Sequence, residues 1–325
     1  METLWKYCTP ESCREFVLSL GLLGETAMGG DRQMKCLYAL SNHPERHYRT
    51  IQIPKKSGGV RTLKEPDALL KRVQKNLLHR VLEPMRVSEH AYAYRKGVSV
   101  RENAAVHLGQ PEILKLDIED FFGNITFPMV MARAFPAELF PPPVRMLFTN
   151  ICCLGDRLPQ GAPTSPAVSN LVMEPFDRYM GTWCRERGIC YSRYCDDMTF
   201  SGDLDAANVE GKAAAFLEAM GFSLNRKKTR RISSGRRQTV TGLTVNEKLQ
   251  AGREYRRRLR QELYFCEKYG VAGHLERCWG RVPTENETAG YMDSLRGRVN
   301  FCLFASGGDR ETFEMKAKIL KLIKK

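Results

Sequence analysis

The chain has 325 residues, and its 51 Lys and Arg against 37 Asp and Glu give a formal net charge of +14. This length allows one large domain or two to three subdomains, and the basic surplus favours a polyanionic partner such as nucleic acid. The apolar runs are shorter than a membrane span and the N-terminus lacks a signal-peptide pattern, so we expect a cytoplasmic protein without membrane contact. The cysteines and histidines show no metal-ligand spacing, which argues against a zinc site.

The first clear element is a hairpin with a basic tip. Residues 50–54 and 60–63 alternate like strands, and Lys55 and Lys56 lie in the Gly-containing turn between them. In residues 66–85 the apolar positions recur at helical spacing with cations between them. This pattern predicts a helix with one packed face and one basic face.

The next predicted element is a strand that carries a carboxylate. Over residues 113–119, apolar and charged residues alternate, and alternate side chains of a strand face opposite sides. Asp117 is therefore expected to point away from the apolar layer. Helices are predicted over residues 144–153 and 165–179, and the Pro- and Gly-containing residues 158–163 form a rigid loop between them.

Two adjacent carboxylates, Asp196 and Asp197, lie between β-prone stretches and predict a hairpin with an acidic tip. Most isolated Asp-Asp pairs are solvated turns. Neighbouring carboxylates repel each other, however, and together with Asp117 on a separate strand they could hold two divalent ions for phosphoryl transfer. Since alternate residues face opposite sides, we expect Asp196 to align with Asp117, whereas the direction of Asp197 depends on the twist of the turn.

The C-terminal half is predicted to be basic and helical. A helix is expected over residues 206–220, and residues 226–260 contain thirteen Lys or Arg against two acidic residues. Residues 311–325 resemble an amphipathic helix, for which four apolar residues are expected to face inward: Ile319, Leu320, Leu322 and Ile323.

Between residues 48 and 265 the sequence resembles the reverse transcriptases in five blocks that follow one another in the family's order. The blocks are Ile53 to Arg61, Leu116 to Phe122, Leu158 to Pro166, Tyr194-Cys195-Asp196-Asp197, and Gly221 to Thr229. Two further blocks, Asn103-Ala104-Ala105-Val106-His107 and Val240-Thr241-Gly242, resemble elements of the bacterial retron enzymes. Cys195 departs from the family, whose retron and intron members commonly have Ala there.

The resemblance implies an α+β, helix-rich right-hand polymerase fold whose palm contains an antiparallel sheet. The implied division is residues 1–111 for the N-terminal region and fingers, 112–127 for the first part of the palm, 128–157 for the second part of the fingers, 158–245 for the second part of the palm, and 246–325 for the thumb and RNA-recognition region.

The implied function is that of an RNA-directed DNA polymerase of retron type. Such an enzyme uses a structured noncoding RNA as template and primer, consumes deoxynucleoside triphosphates, and makes branched RNA-linked single-stranded DNA (msDNA) by two-metal phosphoryl transfer. Retrons act in antiphage defence with an effector protein. The alternatives are another bacterial reverse transcriptase, of group II intron or CRISPR-associated type, or a nucleic-acid-binding scaffold that restrains a toxic effector.

By resemblance, the catalytic and metal-binding residues are Asp117, Asp196 and Asp197, with the backbone carbonyl of Ile118 as a further ligand. Hard oxygen donors suit two Mg²⁺ ions, for which Mn²⁺ could substitute. The implied nucleotide-binding residues are Lys55, Lys56, Arg61, Asp120, Phe121, Phe122, Gln160 and Lys228. The implied nucleic-acid-binding residues are Asn103, His107, Val240, Thr241, Gly242, Arg253, Arg256, Arg257 and Arg260.

Several of these residues have simpler interpretations that the sequence leaves open. Phe122 matches the family position that excludes a ribonucleotide 2′-hydroxyl, but Phe121 and Phe122 could both be core residues. Lys228 could belong to a solvated basic run, and Asn103 and His107 could be a cap and a buried histidine.

Overall fold

The computed structural model describes residues 8–54 and 58–323, so that Lys55 and Lys56 lie outside the described residues. The elements of the first half are α1 (Pro10–Ser19), α2 (Gly30–Asn42), β1 (Tyr48–Pro54), β2 (Val60–Pro66), α3 (Ala68–Leu77), α4 (Val100–Ala105), β3 (Glu112–Asp117), α5 (Phe121–Asn124), α6 (Phe127–Arg133) and α7 (Pro142–Cys152). Those of the second half are α8 (Ser165–Arg185), β4 (Cys190–Tyr194), β5 (Asp197–Ser201), α9 (Ala206–Ala219), β6 (Arg230–Ser233), β7 (Thr239–Val240), β8 (Leu243–Thr244), β9 (Gln250–Ala251), α10 (Arg253–Trp279), α11 (Glu285–Ser306) and α12 (Arg310–Ile323). In these two described stretches no helix is long and apolar enough to cross a membrane.

The centre of the molecule is an antiparallel four-stranded sheet in the order β4-β5-β3-β6. The predicted alternation in β3 is present, because Leu114, Leu116 and Ile118 are buried in the main core. Helix α8 covers this face, where Phe176 meets Tyr191 edge to face at 6.4 Å. The predicted α+β fold with an antiparallel central sheet is therefore confirmed.

The predicted basic-tipped hairpin is formed by β1 and β2, which pair over their whole length. Strand β2 is fixed to the loop that precedes α8, because the amide of Lys64 donates a 2.8 Å hydrogen bond to the carbonyl of Gln160. Gly161 follows with φ +128°, and a Cβ there would lie 2.6 Å from the carbonyl oxygen of Lys64. The close approach of the hairpin to the loop thus depends on a glycine.

A second core lies on the other side of the sheet and joins it to the C-terminal helices. Ile113 of β3 and Ala104 of α4 pack there with the small β7-β8-β9 sheet and with apolar residues of α10, α11 and α12. Helix α10 kinks at Gly270, where φ is 72°. This shared core ties the basic C-terminal part of the chain directly to the central sheet.

The expected inward face of the last helix is partly wrong. Ile319 is buried and Leu322 packs against the second core, but Leu320 and Ile323 are about half exposed. The buried positions of α12 are Thr312, Met315 and Ile319, which form a single stripe at spacings of three and four residues. Leu320 lies outside this stripe, whereas Ile323 continues its spacing but is the last residue of the helix, beyond the last buried position.

Gly161→Ala is predicted to lower the free energy of unfolding by about 1–3 kcal/mol, because the new methyl group meets the Lys64 backbone and φ is unfavourable for alanine. The measurement is the midpoint of thermal or denaturant unfolding. Gly211→Ala in α9 is the matched control, since a Cβ there meets nothing within 4 Å and helical alanine is favoured. Equal midpoints for the two variants would contradict the proposed close contact.

Candidate active site

A buried ion pair supports the β4-β5 hairpin, which carries the paired aspartates. Arg193 and Asp177 are both fully buried, and the guanidinium donates to the two carboxylate oxygens at 2.8 and 2.6 Å. The same guanidinium donates to the carbonyl of Cys195 at 2.9 Å and to Asn170 at 3.2 Å. Cys195 has φ 61°, so this bond fixes the left-handed residue that begins the acidic turn.

The three predicted catalytic aspartates meet at one end of the central sheet. Asp197 lies directly opposite Asp117 in the register of β3 and β5. Asp196 lies in the two-residue turn, and its carbonyl accepts a 3.1 Å hydrogen bond from the amide of Ile118. The expected alignment of Asp196 with Asp117 is therefore wrong. Asp196 lies in the tight turn outside the strand pairing, so Asp197 is the cross-strand neighbour of Asp117.

A lysine ammonium already neutralises part of this acidic cluster. The Nζ of Lys228 lies 2.8 and 3.0 Å from the two carboxylate oxygens of Asp117, and this contact raises the pKa of Lys228. The Lys228 side chain is 59% exposed, whereas that of Asp117 is 7% exposed. Lys228 is held nearby because the amide of Asn225 donates to the carbonyl of Asp117 at 2.8 Å.

Burial and the neighbouring carboxylates both disfavour the negative charge of Asp197. The residue as a whole is exposed to solvent, but neighbouring protein atoms displace part of the water around its carboxylate. Desolvation and then the charges of Asp196 and Asp117 raise the pKa of Asp197 to about 6, against the opposing effect of Lys115 and Lys228. A cluster of this kind is stabilised by added positive charge.

These aspartates line a cleft of about 820 Å³ that brings together most of the predicted catalytic and nucleotide-binding residues. The predicted residues in its wall are Arg61, Asp117, Ile118, Asp120, Phe121, Phe122, Gln160, Asp196, Asp197 and Lys228. They come from the β1-β2 hairpin, the end of β3, the loop before α8, the β4-β5 turn and the turn before β6. Separate parts of the chain therefore converge on one open site.

The phenylalanines at the start of α5 occupy different environments. Phe121 is 4% exposed and contacts Phe222 with ring centroids 6.1 Å apart, so it belongs to the core. Phe122 is only partly buried, and its ring lies 5.3 Å from that of Phe121. Of the two, Phe122 is the ring that can contact a ligand in the cleft.

Two predicted nucleic-acid-binding residues, Asn103 and His107, lie inside the protein. His107 is fully buried, and its ring nitrogens lie 2.7 Å from the hydroxyl of Ser201 and 2.8 Å from that of Ser192. Burial, and to a lesser extent Lys115, lowers the pKa of His107 to about 3, so its ring is neutral at physiological pH. His107 therefore lies inside the protein, where it joins Ser192 of β4 to Ser201 of β5.

The Val240-Thr241-Gly242 segment is the turn of the β7-β8 hairpin and meets Asn103. Thr241 and Gly242 have φ values of 45° and 84°, as in a tight hairpin turn with two left-handed residues. The Thr241 hydroxyl donates to the carbonyl of Val100 at 2.9 Å and lies 3.5 Å from the Asn103 side-chain nitrogen. Asn103 is 1% exposed. Asn103 and His107, four residues apart, thus brace the β7-β8 turn and the central sheet respectively.

The predicted phosphate-binding arginines of α10 divide into two groups. Arg256 is partly buried and pairs with Glu311, and it also donates to the carbonyl of Ala251 at 3.1 Å. Arg260 shares Glu311 at 2.5 Å but remains exposed. Arg253 and Arg257 are exposed as well. Arg256 is therefore held within the protein, whereas Arg253 and Arg257, and also Arg260 despite its pairing with Glu311, are accessible to a polyanion.

Several residues that build the site are not among those predicted from the sequence. Arg193 and Asp177 belong to no motif, although an arginine inside an apolar strand is a signal of a buried partner. Tyr94 lines the cleft and contacts Cys195 from 101 positions away, with no local pattern to indicate it.

The donor chemistry of the site fits a divalent metal ion. Carboxylates and a main-chain carbonyl are the hard oxygen ligands that Mg²⁺ prefers, and desolvation followed by the charges of Asp196 and Asp117 raises the pKa of Asp197. The side chains are not already gathered around one point, because the described residues contain no group of three or more ligating side chains placed to hold a metal. The Lys228 ammonium lies against Asp117 instead.

Comparison with known proteins agrees with this geometry. A family model described as reverse transcriptase (RNA-dependent DNA polymerase) matches residues 53–250. The retron Mx65 reverse transcriptase of Myxococcus xanthus is 38% identical over 67% of this chain, and this chain covers only 56% of that protein. The retron Ec86 and Ec83 reverse transcriptases of Escherichia coli are 32% and 28% identical over 71% and 88% of this chain, and 74% and 92% of their own lengths are covered. The resemblance inferred from the sequence blocks is confirmed.

Lys228→Gln is predicted to lower the thermal unfolding midpoint in the absence of divalent ions, by about 2 °C for each kcal/mol of lost pairing. Added MgCl₂ is expected to raise the midpoint of this variant more than that of the wild type, because the ammonium and the metal ion compete for Asp117. The control is Lys227→Gln, which removes the same charge from an exposed neighbour. If MgCl₂ shifts all three proteins equally, Lys228 does not act as the counter-ion of the site.

Proposed function

This chain belongs to the reverse transcriptase family and to its retron type, and from this membership we propose that it is an RNA-directed DNA polymerase. The single observation that carries the proposal is the cleft in which Asp117, Asp196 and Asp197 lie together with Arg61 and Gln160. Carboxylates at one end of a cleft and a guanidinium in its wall fit a substrate that carries a triphosphate.

The residues of the cleft have distinct roles in this proposal. Arg61 binds the triphosphate, because its planar fork can donate to two phosphate oxygens. Lys55 or Lys56 joins it from the same hairpin. Gln160 lies beside the incoming nucleotide, and the 2.8 Å bond from Lys64 to its carbonyl keeps the hairpin and loop at a fixed spacing.

Phe122 selects the sugar. Its partly exposed ring rests on the core residue Phe121, which limits how far it can move away from a bound nucleotide. A rigid ring at this place excludes the 2′-hydroxyl of a ribonucleotide. Asp120 immediately precedes α5 with φ 40° and lies in the wall of the cleft, where it contacts the nucleotide.

Asp117, Asp196 and Asp197, with the carbonyl of Ile118, would hold two divalent ions, expected as Mg²⁺ with Mn²⁺ as a substitute. When bound, such ions lower the pKa of an attacking hydroxyl and neutralise charge on the transferred phosphoryl group. Filling this site would release the Lys228 ammonium from Asp117 towards the substrate phosphates, while the hydrogen bond from Asn225 to the Asp117 carbonyl would keep its turn beside the site.

The retron-specific part of the proposal concerns the template and the product. The relatives bear the name retron reverse transcriptase, and we propose that this chain likewise copies a structured noncoding RNA into branched RNA-linked single-stranded DNA. The exposed Arg253, Arg257 and Arg260 of α10 contact nucleic-acid phosphates. An antiphage role with an effector protein belongs to the same proposal, as does the division of the chain into fingers, palm and thumb.

The proposal is tested with purified protein, the noncoding RNA encoded beside its gene, MgCl₂ and nucleoside triphosphates. Wild-type protein is expected to make DNA joined to RNA, and Asp117→Asn or Asp196→Asn is expected to reduce the rate by at least about 1,000-fold, because the metal ligands are lost. Phe122→Ala should admit ribonucleotides that the wild type excludes. Asp203→Asn is the control, since this exposed carboxylate follows the same hairpin outside the cleft.

The results separate the alternatives. DNA synthesis that survives Asp117→Asn would contradict the assigned site. Protein that binds the RNA tightly but makes no DNA under any of these conditions would favour a scaffold over a polymerase.

A further inference from the structure

Tyr94 has an unusual conformation for a residue that is so accessible. Its φ is 60°, its side chain is 51% exposed, and its hydroxyl donates to the Sγ of Cys195 at 3.3 Å. Left-handed backbone is unfavourable for a large side chain and persists only where the surroundings impose it. The position of the Tyr94 ring is therefore determined by its neighbours.

The segment that precedes Tyr94 is bonded to the same residues that hold the acidic turn, Arg193 and Asn170. The amide of Arg193 donates to the carbonyl of His90 at 2.7 Å, and the amide of Tyr92 donates to the carbonyl of Arg193 at 2.8 Å. The side chain of Asn170 donates to the carbonyl of Ala93 at 2.9 Å. The segment that ends at Tyr94 is thus hydrogen-bonded to β4 and to α8.

Left-handed non-glycine residues are concentrated around the cleft. Among the residues that the structure describes, four non-glycine residues have a positive φ: Tyr94, Asp120, Cys195 and Thr241. The first three line the cleft, and two of them, Tyr94 and Cys195, touch each other. Strained residues cluster in this way where a binding site requires a fixed side-chain position.

Tyr94 also lines a second groove, of about 630 Å³, that adjoins the cleft. The lining of this groove includes the apolar residues Leu82, Val87 and Pro166 and four charged residues: Arg86, Arg95, Lys96 and Glu83. Glu83 pairs with Lys96 at 2.6 Å, so the cationic residues exceed the acidic ones. Such a lining suits a nucleic-acid strand, whose bases and sugars contact the apolar residues while its phosphates lie near the cations.

We propose that Tyr94 contacts the nucleic-acid strand at the point where the reaction cleft opens into this groove, and that Cys195 is a positioning residue that holds the Tyr94 ring there. The inference rests on the proposed polymerase function. Tyr94 is exposed in both cavities and carries an aromatic face on which a base or sugar can stack. Tyr94 would therefore contact the nucleic-acid strand, whereas the other residues of the cleft contact the incoming nucleotide.

The sulfur of Cys195 accepts the hydrogen bond that fixes the Tyr94 hydroxyl. Alanine at this position would provide no acceptor for the Tyr94 hydroxyl. Burial, and then the contact with Cys195, raises the pKa of Tyr94, so its hydroxyl remains protonated and able to donate.

The test compares binding of poly(rA)/oligo(dT) by fluorescence anisotropy with the KM for dTTP. Tyr94→Asn removes the ring, and asparagine tolerates the left-handed backbone. It is expected to raise the Kd for primer–template about 10-fold through lost stacking, while the KM for dTTP changes less than about twofold. Tyr38→Ala is the control, because Tyr38 is a similarly exposed tyrosine on a different cavity.

A double-mutant cycle tests the role of Cys195. Tyr94→Phe and Cys195→Ala are each expected to weaken primer–template binding about two- to fivefold, as for loss of one hydrogen bond, and the double variant should be no weaker than either. Cys195→Ser retains an acceptor and should bind more tightly than Cys195→Ala. Unchanged binding by Tyr94→Asn, or effects of Tyr94→Phe and Cys195→Ala that multiply, would overturn the inference.

Failure of the inference can be distinguished from failure of the proposed function. Anisotropy requires no catalysis, so the comparison of Tyr94 variants remains decisive even if the wild type makes no DNA. An inactive wild type contradicts the polymerase proposal. An active wild type whose binding is insensitive to Tyr94→Asn contradicts only the role of Tyr94.

Discussion

The buried ion pair between Arg193 and Asp177 is the interaction on which the candidate site depends. Burial by itself would lower the pKa of the Arg193 guanidinium, but the Asp177 carboxylate outweighs this effect and raises it, so the guanidinium remains charged. Each charge without its partner would carry a large desolvation penalty. The pair therefore fixes β4, which carries Arg193, against α8, which carries Asp177. The same guanidinium holds the carbonyl of Cys195 by a hydrogen bond.

The positions of the functional groups follow from this support. Since the Cys195 carbonyl is held, Asp196 lies in the turn and Asp197 pairs with Asp117. The same strand binds the segment that ends at Tyr94. From the other side of the sheet, His107 joins β4 and β5 through two serine hydroxyls, so that the acidic hairpin is held on both faces.

Local patterns predicted the elements that carry the aspartates, and long-range contacts supply what those patterns lack. Alternation identified β3, and the alanine-rich composition identified α9, because these signals act over a few residues. The order of the blocks predicted which residues share the cleft. The partner of Arg193 on α8, the burial of His107 and the direction of Asp197 depend on packing between distant segments, and no pattern within either segment encodes them.

The most direct test of this account is the initial rate of DNA synthesis by Asp177→Asn at a temperature where the variant is shown to be folded. Asn keeps the shape of the side chain but leaves Arg193 without its counter-charge, and a displaced acidic turn is expected to lower the rate about 100-fold. Asp31→Asn is the matched control, because it breaks an exposed Arg-Asp pair with the same 2.6 Å separation. A folded Asp177→Asn protein that makes DNA at the wild-type rate would contradict the claim that this buried pair positions the catalytic turn.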